Sequence, residues 1–310
     1  MRVVVALGGN ALSPARGDGS VEELRASLLT TAGALADLVA TGTQLVLTHG
    51  NGPQVGRLLL QQELAASQVP PMPMDVCGAL SQGQLGYLLA QALDNALRRR
   101  RLPQRVLSLV TQVVVDGRDP AFRRPTKPVG PSYARPDAQR IAHETGQVFA
   151  IQPSGQWRRL VASPEPLRFV EQGPLRALVD AGHVVVAGGG GGVPVVEYRG
   201  QLRGVEAVVD KDRSAALLAQ SVGADALLIL TEVARVQVGF GTPDARALDT
   251  VTVAEAEELL AAGEFPDGSM GPKVQACVRF VSAGGRAAIG ALDQAADVLA
   301  GTAGTWFRRW

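Results

Sequence analysis

Three short apolar runs in this chain each end in a cluster of glycines, and this repetition restricts the fold more than any other feature. Val3 to Leu7 runs into Gly8-Gly9-Asn10, Gln44 to Thr48 into His49-Gly50-Asn51-Gly52-Pro53, and His183 to Ala187 into Gly188 to Gly192. Uninterrupted apolar runs of this length suit strands buried on both faces, because a solvated face would demand alternation. Helical signals follow. Ser20 and Glu23 stand in capping-box spacing ahead of Leu24, Leu28, Leu35, Leu38 and Val39, with Gly42 as the stop. A second helix is expected from Pro53, and a longer one from Asp75 to the arginines 98–101, whose charge complements the helix dipole. Further strands are expected over Arg105 to Val115, Ala226 to Leu230 and Arg286 to Gly290. Helices are expected near Pro174 to Ala181, Lys211 to Val222, Val253 to Ala262 and Pro272 to Ala283. Strands alternating with helices predict an α/β protein: a three-layer αβα sandwich around a mostly parallel sheet, with ligands at the carboxyl ends of the strands.

One stretch breaks the pattern. Nine of the 19 prolines fall between Asp116 and Pro174, among short strands such as Trp157 to Ala162 and one helix near Pro136 to Glu144. A small inserted subdomain or lid, about residues 116–170, is expected there.

Glycine lets a backbone approach an anion closely, and amides at a helix N-terminus point at it, so the three loops are natural phosphate or carboxylate cradles. Neither of the common nucleotide motifs is present. No lysine ends a Gly-x-x-x-x-Gly-Lys-Ser/Thr string, and Val193 stands where a dinucleotide fingerprint needs its last glycine. The basic residues are more telling. Of 30, 27 are arginine and three are lysine: Lys127, Lys211 and Lys273. A bias toward arginine empties tolerant positions first, so the surviving lysines are candidates for work a guanidinium cannot do, such as acting as a point charge on phosphate. Two of them open expected helices, where anions are already favoured.

A formal charge of +1 argues against nucleic acid or an anionic membrane as the main partner, and no run approaches a membrane span. The N-terminus lacks the pattern of a signal sequence, and Cys77 and Cys277 have no metal-ligand spacing around them, so a cytoplasmic protein with a small ligand is expected. The three histidines, His49, His143 and His183, are expected to be structural.

The strings Ala6-Leu-Gly-Gly-Asn-Ala11, Thr48-His-Gly-Asn-Gly-Pro-Gln-Val-Gly56, Asp119-Pro-Ala-Phe122, Pro125-Thr-Lys-Pro128, Ala187-Gly-Gly-Gly-Gly191, Val209-Asp-Lys-Asp212 and Gly268-Ser-Met-Gly-Pro-Lys-Val274 together resemble carbamate kinase, within the amino-acid kinase fold. The likeness spans nearly the whole chain in one order. It implies a single domain, 1–310, whose N-terminal half, 1–182, holds carbamate or carbamoyl phosphate and forms a homodimer. The C-terminal half, 183–310, would bind ATP or ADP with Mg²⁺. It further implies that Gly8, Gly9, Asn10, Gly50 and Asn51 cradle the substrate while Lys127 closes on it from the lid. Lys211 and Lys273 would flank the phosphates, with Asp212 holding both ammonium groups. Gly188, Gly189, Phe240, Met270 and Pro272 would lie on the nucleotide side, and no protein metal cage is expected.

Two positions depart from related patterns. Ala6 stands where acyl-phosphate-forming sister kinases carry a lysine, whose charge Lys211 would supply, and Thr242 stands where many carbamate kinases have lysine. The competing readings are another acid-phosphorylating member of the fold, such as an acetylglutamate kinase, a non-catalytic binding protein of the same fold, and a nicotinamide dehydrogenase.

Overall fold

The structure is a computed structural model that describes residues 1–9, 12, 19–266 and 269–310. The N-terminal elements are β1 (Arg2–Leu7), α1 (Val21–Ala40), β2 (Gln44–His49), α2 (Gly52–Ala65), α3 (Met74–Arg99), β3 (Val106–Ser108) and β4 (Gln112–Val115). Next come β5 (Lys127–Tyr133), α4 (Arg135–Thr145), β6 (Val148–Ile151), β7 (Trp157–Val161), β8 (Pro166–Phe169) and α5 (Gln172–Asp180). The chain continues through β9 (Val184–Val186), β10 (Val193–Tyr198), β11 (Gln201–Gly204), α6 (Lys211–Ser221), β12 (Ala226–Thr231), β13 (Gln237–Val238) and β14 (Arg246–Ala247). It closes with β15 (Thr250–Thr252), α7 (Val253–Ala261), α8 (Met270–Ser282), β16 (Arg286–Ala291), α9 (Ala295–Ala300) and β17 (Thr305–Arg308).

Eight strands form the main sheet in the order β15-β17-β16-β12-β1-β2-β9-β3. Every neighbouring pair is parallel except β16 with β17. Alternation along the central strand sorts the two faces. Val3, Val5 and Leu7 pack with leucines of α1 and α3 and with Val298 of α9. Val4 and Ala6 pack with Leu175 of α5, Leu218 of α6 and Val274 of α8. Helices on both faces of a central sheet make the three-layer sandwich, and Val3 to Leu7 of β1 are wholly buried because both faces of the strand are covered. Ser20 caps α1 by accepting from the Glu23 N–H, while the Glu23 carboxylate reaches the N–H of Gly19. Among the described residues no helix is long and apolar enough to cross a membrane.

The single strand expected over Arg105 to Val115 is in fact two. β3 ends the main sheet, and four residues later β4 enters a second sheet, ordered β11-β10-β4-β8. The break is held by buried side chains. Gln82 of α3 accepts from the Thr111 N–H and donates to its carbonyl, and the Thr111 hydroxyl accepts from the Gly188 N–H. Residues 116–170 divide between two surroundings. β8 pairs with β4 in that second sheet, and Phe122 packs against the main core. What stands apart is Lys127 to Val161: the three-stranded sheet β5-β7-β6 with α4 against it and α2 beneath β5.

Candidate active site

Two cavities lie at the carboxyl ends of β1, β2 and β12, and Lys273 lines both. One, about 490 Å³, is bordered by Gly8, Gly9, Thr231, Phe265, Met270 and Lys273. The other, about 560 Å³, lies beneath the three-stranded sheet and is bordered by Gly50, Asn51, Lys127, Asp210, Lys211 and Lys273.

Between them is a compact ionic cluster. Asp210 caps α6: its Oδ1 accepts from the N–H groups of Asp212, at 2.9 Å, and Arg213, at 3.3 Å. This is the role for which a short carboxylate before a helix is suited. Its Oδ2 accepts from Lys127 Nζ at 2.9 Å, tying the three-stranded sheet to the helix cap. Asp212, in the first turn of α6, is only 4% exposed. Its Oδ1 accepts from Lys211 Nζ at 2.6 Å and its Oδ2 from Lys273 Nζ at 3.0 Å, so one carboxylate joins cations from α6 and α8. Burial pushes the Asp212 carboxyl pKa up, but the two ammonium groups and their hydrogen bonds outweigh it and hold the value below the usual aspartate range. Lys273 Nζ also donates to the Ser269 carbonyl at 3.0 Å, which fixes its direction.

The glycine loops are packed as much as they are open. The Gly8 N–H donates to the Leu230 carbonyl at 2.9 Å, prolonging the β1–β12 ladder to the rim of the first cavity. Asn51 precedes α2 and donates to Ser81 Oγ at 2.7 Å. Gly190, at φ +64°, lies so near that a Cβ there would stand 2.1 Å from the Asn51 side chain. Gly191, at φ +96°, would bring a Cβ to 2.3 Å from the Val209 carbonyl oxygen. The run of glycines therefore lets β9 and its loop close against the turn leading to Lys211. His49 is buried beside them, with Nδ1 2.9 Å from the Gly50 carbonyl, and burial lowers its pKa to about 4.

Not every expected position lies where the sequence suggested. Gly188 and Gly189 do not line the first cavity; they are buried against Phe169, Thr48, His49 and Gln82, behind the second one. The reason is the pairing of β9 between β2 and β3, which carries its loop to the Asn51 side of the sheet. Met270 and Phe240 do border the first cavity, although Phe240 is 68% exposed, and Pro272 does not. Asn10 lies outside the described residues. Asp210 was not singled out from the sequence, although an aspartate directly before an expected helix is a capping signal that could have found it. The Asp119-Pro-Ala-Phe string finds a place as well. Asp119 accepts from the Ala121 and Glu165 N–H groups at 2.8 and 3.0 Å, clasping the outgoing and returning strands of the insert. Glu165 in turn pairs with Arg213 of α6 and Arg279 of α8. Among the described residues, no group of three His, Cys, Asp or Glu side chains is gathered where a metal could be held.

Residues 1–289 match the amino acid kinase family, and the fold and the paired lysines define the chain as a member of it. Its relatives narrow the class. A carbamate kinase of Pyrococcus horikoshii is 47% identical over 307 residues, covering 98% of each chain. That of Clostridium perfringens is 43% identical over 311 residues, covering 98% of this chain and 99% of its own. The solved structure of a carbamate kinase from Giardia lamblia bound to AMP-PNP superposes with a TM-score of 0.94 at 39% identity, covering 99% of this chain and 98% of that one. Within the amino acid kinases, this chain belongs to the carbamate kinases.

Proposed function

We propose that this protein catalyses reversible phosphoryl transfer between ATP and carbamate, ATP + carbamate = ADP + carbamoyl phosphate. The observation that carries this reading is the position of Lys273, which borders both cavities and shares Asp212 with Lys211. A nucleotide in the first cavity and a small acid in the second would meet at that pair of cations. Phosphoryl transfer through a loose transition state asks for alignment and for neutralisation of charge on the phosphoryl oxygens, which Lys211, Lys273 and the amides of Gly9 and Gly50 are suited to supply. A carbamate oxygen is already anionic, so no general base is required. Asp212 serves as the brace that keeps two like charges side by side. Lys127 would leave Asp210 for the substrate as the three-stranded sheet closes. Met270 and Phe240 would meet the adenine side, and Mg²⁺ would arrive as part of the nucleotide substrate, held by phosphate oxygens and water.

The same reading carries coarser expectations. Val76, Leu80 and Tyr87 form an exposed apolar stripe along α3, as a homodimer through the N-terminal half would need. A cytoplasmic enzyme forming ATP during fermentative arginine breakdown is the setting that suits the reaction. A coupled assay with ADP, Mg²⁺ and carbamoyl phosphate tests the proposal. ATP should form, N-acetylglutamate should not be phosphorylated in the reverse direction, and Lys211→Ala or Lys273→Ala should lose on the order of 10²-fold or more in rate. Near-normal turnover in both variants would sink the mechanism.

A further inference from the structure

Five cationic side chains border the substrate-side cavity among the described residues, and four of them are engaged. Lys127, Lys211 and Lys273 are bonded to Asp210 or Asp212, and Arg57 donates to the Gly19 carbonyl. Arg158 of β7 is different. Its Nη2 donates to the Gly130 carbonyl at 2.9 Å, but among the described residues no carboxylate pairs with it and its buried Nε has no hydrogen-bond partner. Its neighbour Arg159, on the other face of the strand, is paired with Glu206.

The backbone around Arg158 is built irregularly. In the β5–β7 ladder Val129 faces Arg159 and Tyr133 faces Trp157, so Gly130, Pro131 and Ser132 all stand opposite Arg158 alone. Gly130 takes φ +71°, a conformation that favours glycine, and the bulge turns its carbonyl toward the guanidinium. Bulges of this kind re-aim a side chain beside a site. A charged N–H cut off from both water and an acceptor is costly, and a planar guanidinium is the group best shaped to take two oxygens of a phosphate.

We propose that Arg158 is a substrate-binding residue whose guanidinium takes phosphate oxygens of carbamoyl phosphate from the side of the three-stranded sheet; this rests on the reading of the chain as a carbamate kinase. Lys127 must give up Asp210 to reach the substrate, whereas Arg158 gives up no charged partner. Arg158 is therefore the cation of the lid that meets the incoming dianion first, and Lys127 follows.

The test is the Michaelis constant for each substrate in the ATP-forming direction, measured for the natural protein and for Arg158→Ala, Arg158→Gln, Arg158→Lys and Arg159→Ala. Loss of a charge-assisted contact should raise KM for carbamoyl phosphate by on the order of tenfold to a hundredfold in Arg158→Ala and Arg158→Gln. KM for ADP should be unchanged, Arg158→Lys should recover part of the loss, and Arg159→Ala should resemble the natural protein. If the alanine variant fails to fold, the glutamine and lysine variants decide. A KM for carbamoyl phosphate that stays within about twofold in Arg158→Gln, or that rises only in step with KM for ADP, overturns the assignment. Absence of ATP formation by the natural protein would overturn instead the activity on which it rests.

Discussion

Replacing Asp212 with asparagine removes one negative charge from between two lysines and changes little else in volume. Lys211 and Lys273 have side chains 13% and 16% exposed, so water screens their mutual repulsion poorly once the carboxylate is gone. The amide keeps one acceptor oxygen and turns an NH₂ group toward the other ammonium. One charge-assisted bond is lost and the other becomes ion-to-neutral, which together with an uncompensated buried charge costs about 3–5 kcal/mol. At about 2.1 cal/mol/K per residue, 310 residues unfold with an entropy near 0.65 kcal/mol/K, so the melting temperature should fall by roughly 5–8 °C. Turnover should fall by on the order of 10²-fold, because the cations lose their brace. Since the folded-state pKa of Asp212 is depressed, its contribution is present above the ordinary aspartate range and is lost only as pH falls below about 4 through the lowered value. The natural protein and the variant should therefore differ most at neutral pH and converge in strong acid. An unchanged melting temperature with normal turnover would refute the bracing role.

Other expectations concern the surrounding parts. His49 is buried and its pKa is lowered from 6.5 to about 4, so acid protonates the unfolded chain first; stability should fall between pH 6.5 and 4 by about 3 kcal/mol, and His49→Gln should flatten that limb of a denaturation-against-pH curve. Gly191→Ala places a Cβ against the Val209 carbonyl at positive φ and should cost more than about 2 kcal/mol in urea unfolding, because backbone cannot step aside as a side chain does. Glu165→Gln releases Arg213 and Arg279, but this cluster is well exposed, and calorimetry should register less than about 1 kcal/mol. Lys127→Ala should raise KM for carbamoyl phosphate more than KM for ADP, and initial-rate kinetics showing equal loss of both would argue against the lid assignment.

Much of this arrangement was legible before any coordinates. β1 and β2 could be read because strands covered on both faces leave unbroken apolar runs, and helix starts could be read from Ser20 and from the prolines near Gly52 and Met270. The three lysines stood out by rarity, and their resemblance to a known set gave each a post. What escaped was decided by long-range geometry. Leu109 and Val110 continue an apolar run, so nothing local announces that Gln82, 29 positions from Thr111, holds the chain away from the sheet. The glycines at 188 and 189 have the composition of a phosphate loop wherever they fall, and only the strand order brings them behind Asn51. Arg158 lies in an ordinary strand sequence, and its lack of a carboxylate is a property of its neighbours in space.

The pairing of Lys127 with Asp210, and of Lys211 and Lys273 with Asp212, bears on how the site responds to ionic strength. Bare lysines around an open cleft would gather counter-ions from solution, and each bound phosphate would have to expel them, making affinity fall steeply with added salt. Here the carboxylates act as built-in counter-ions that salt cannot dilute. Arg158 has no such partner among the described residues, so the Michaelis constant for the small dianion should carry the gentle salt dependence of about one bare cation rather than of several, from dilute buffer to the salt concentrations of a living cell.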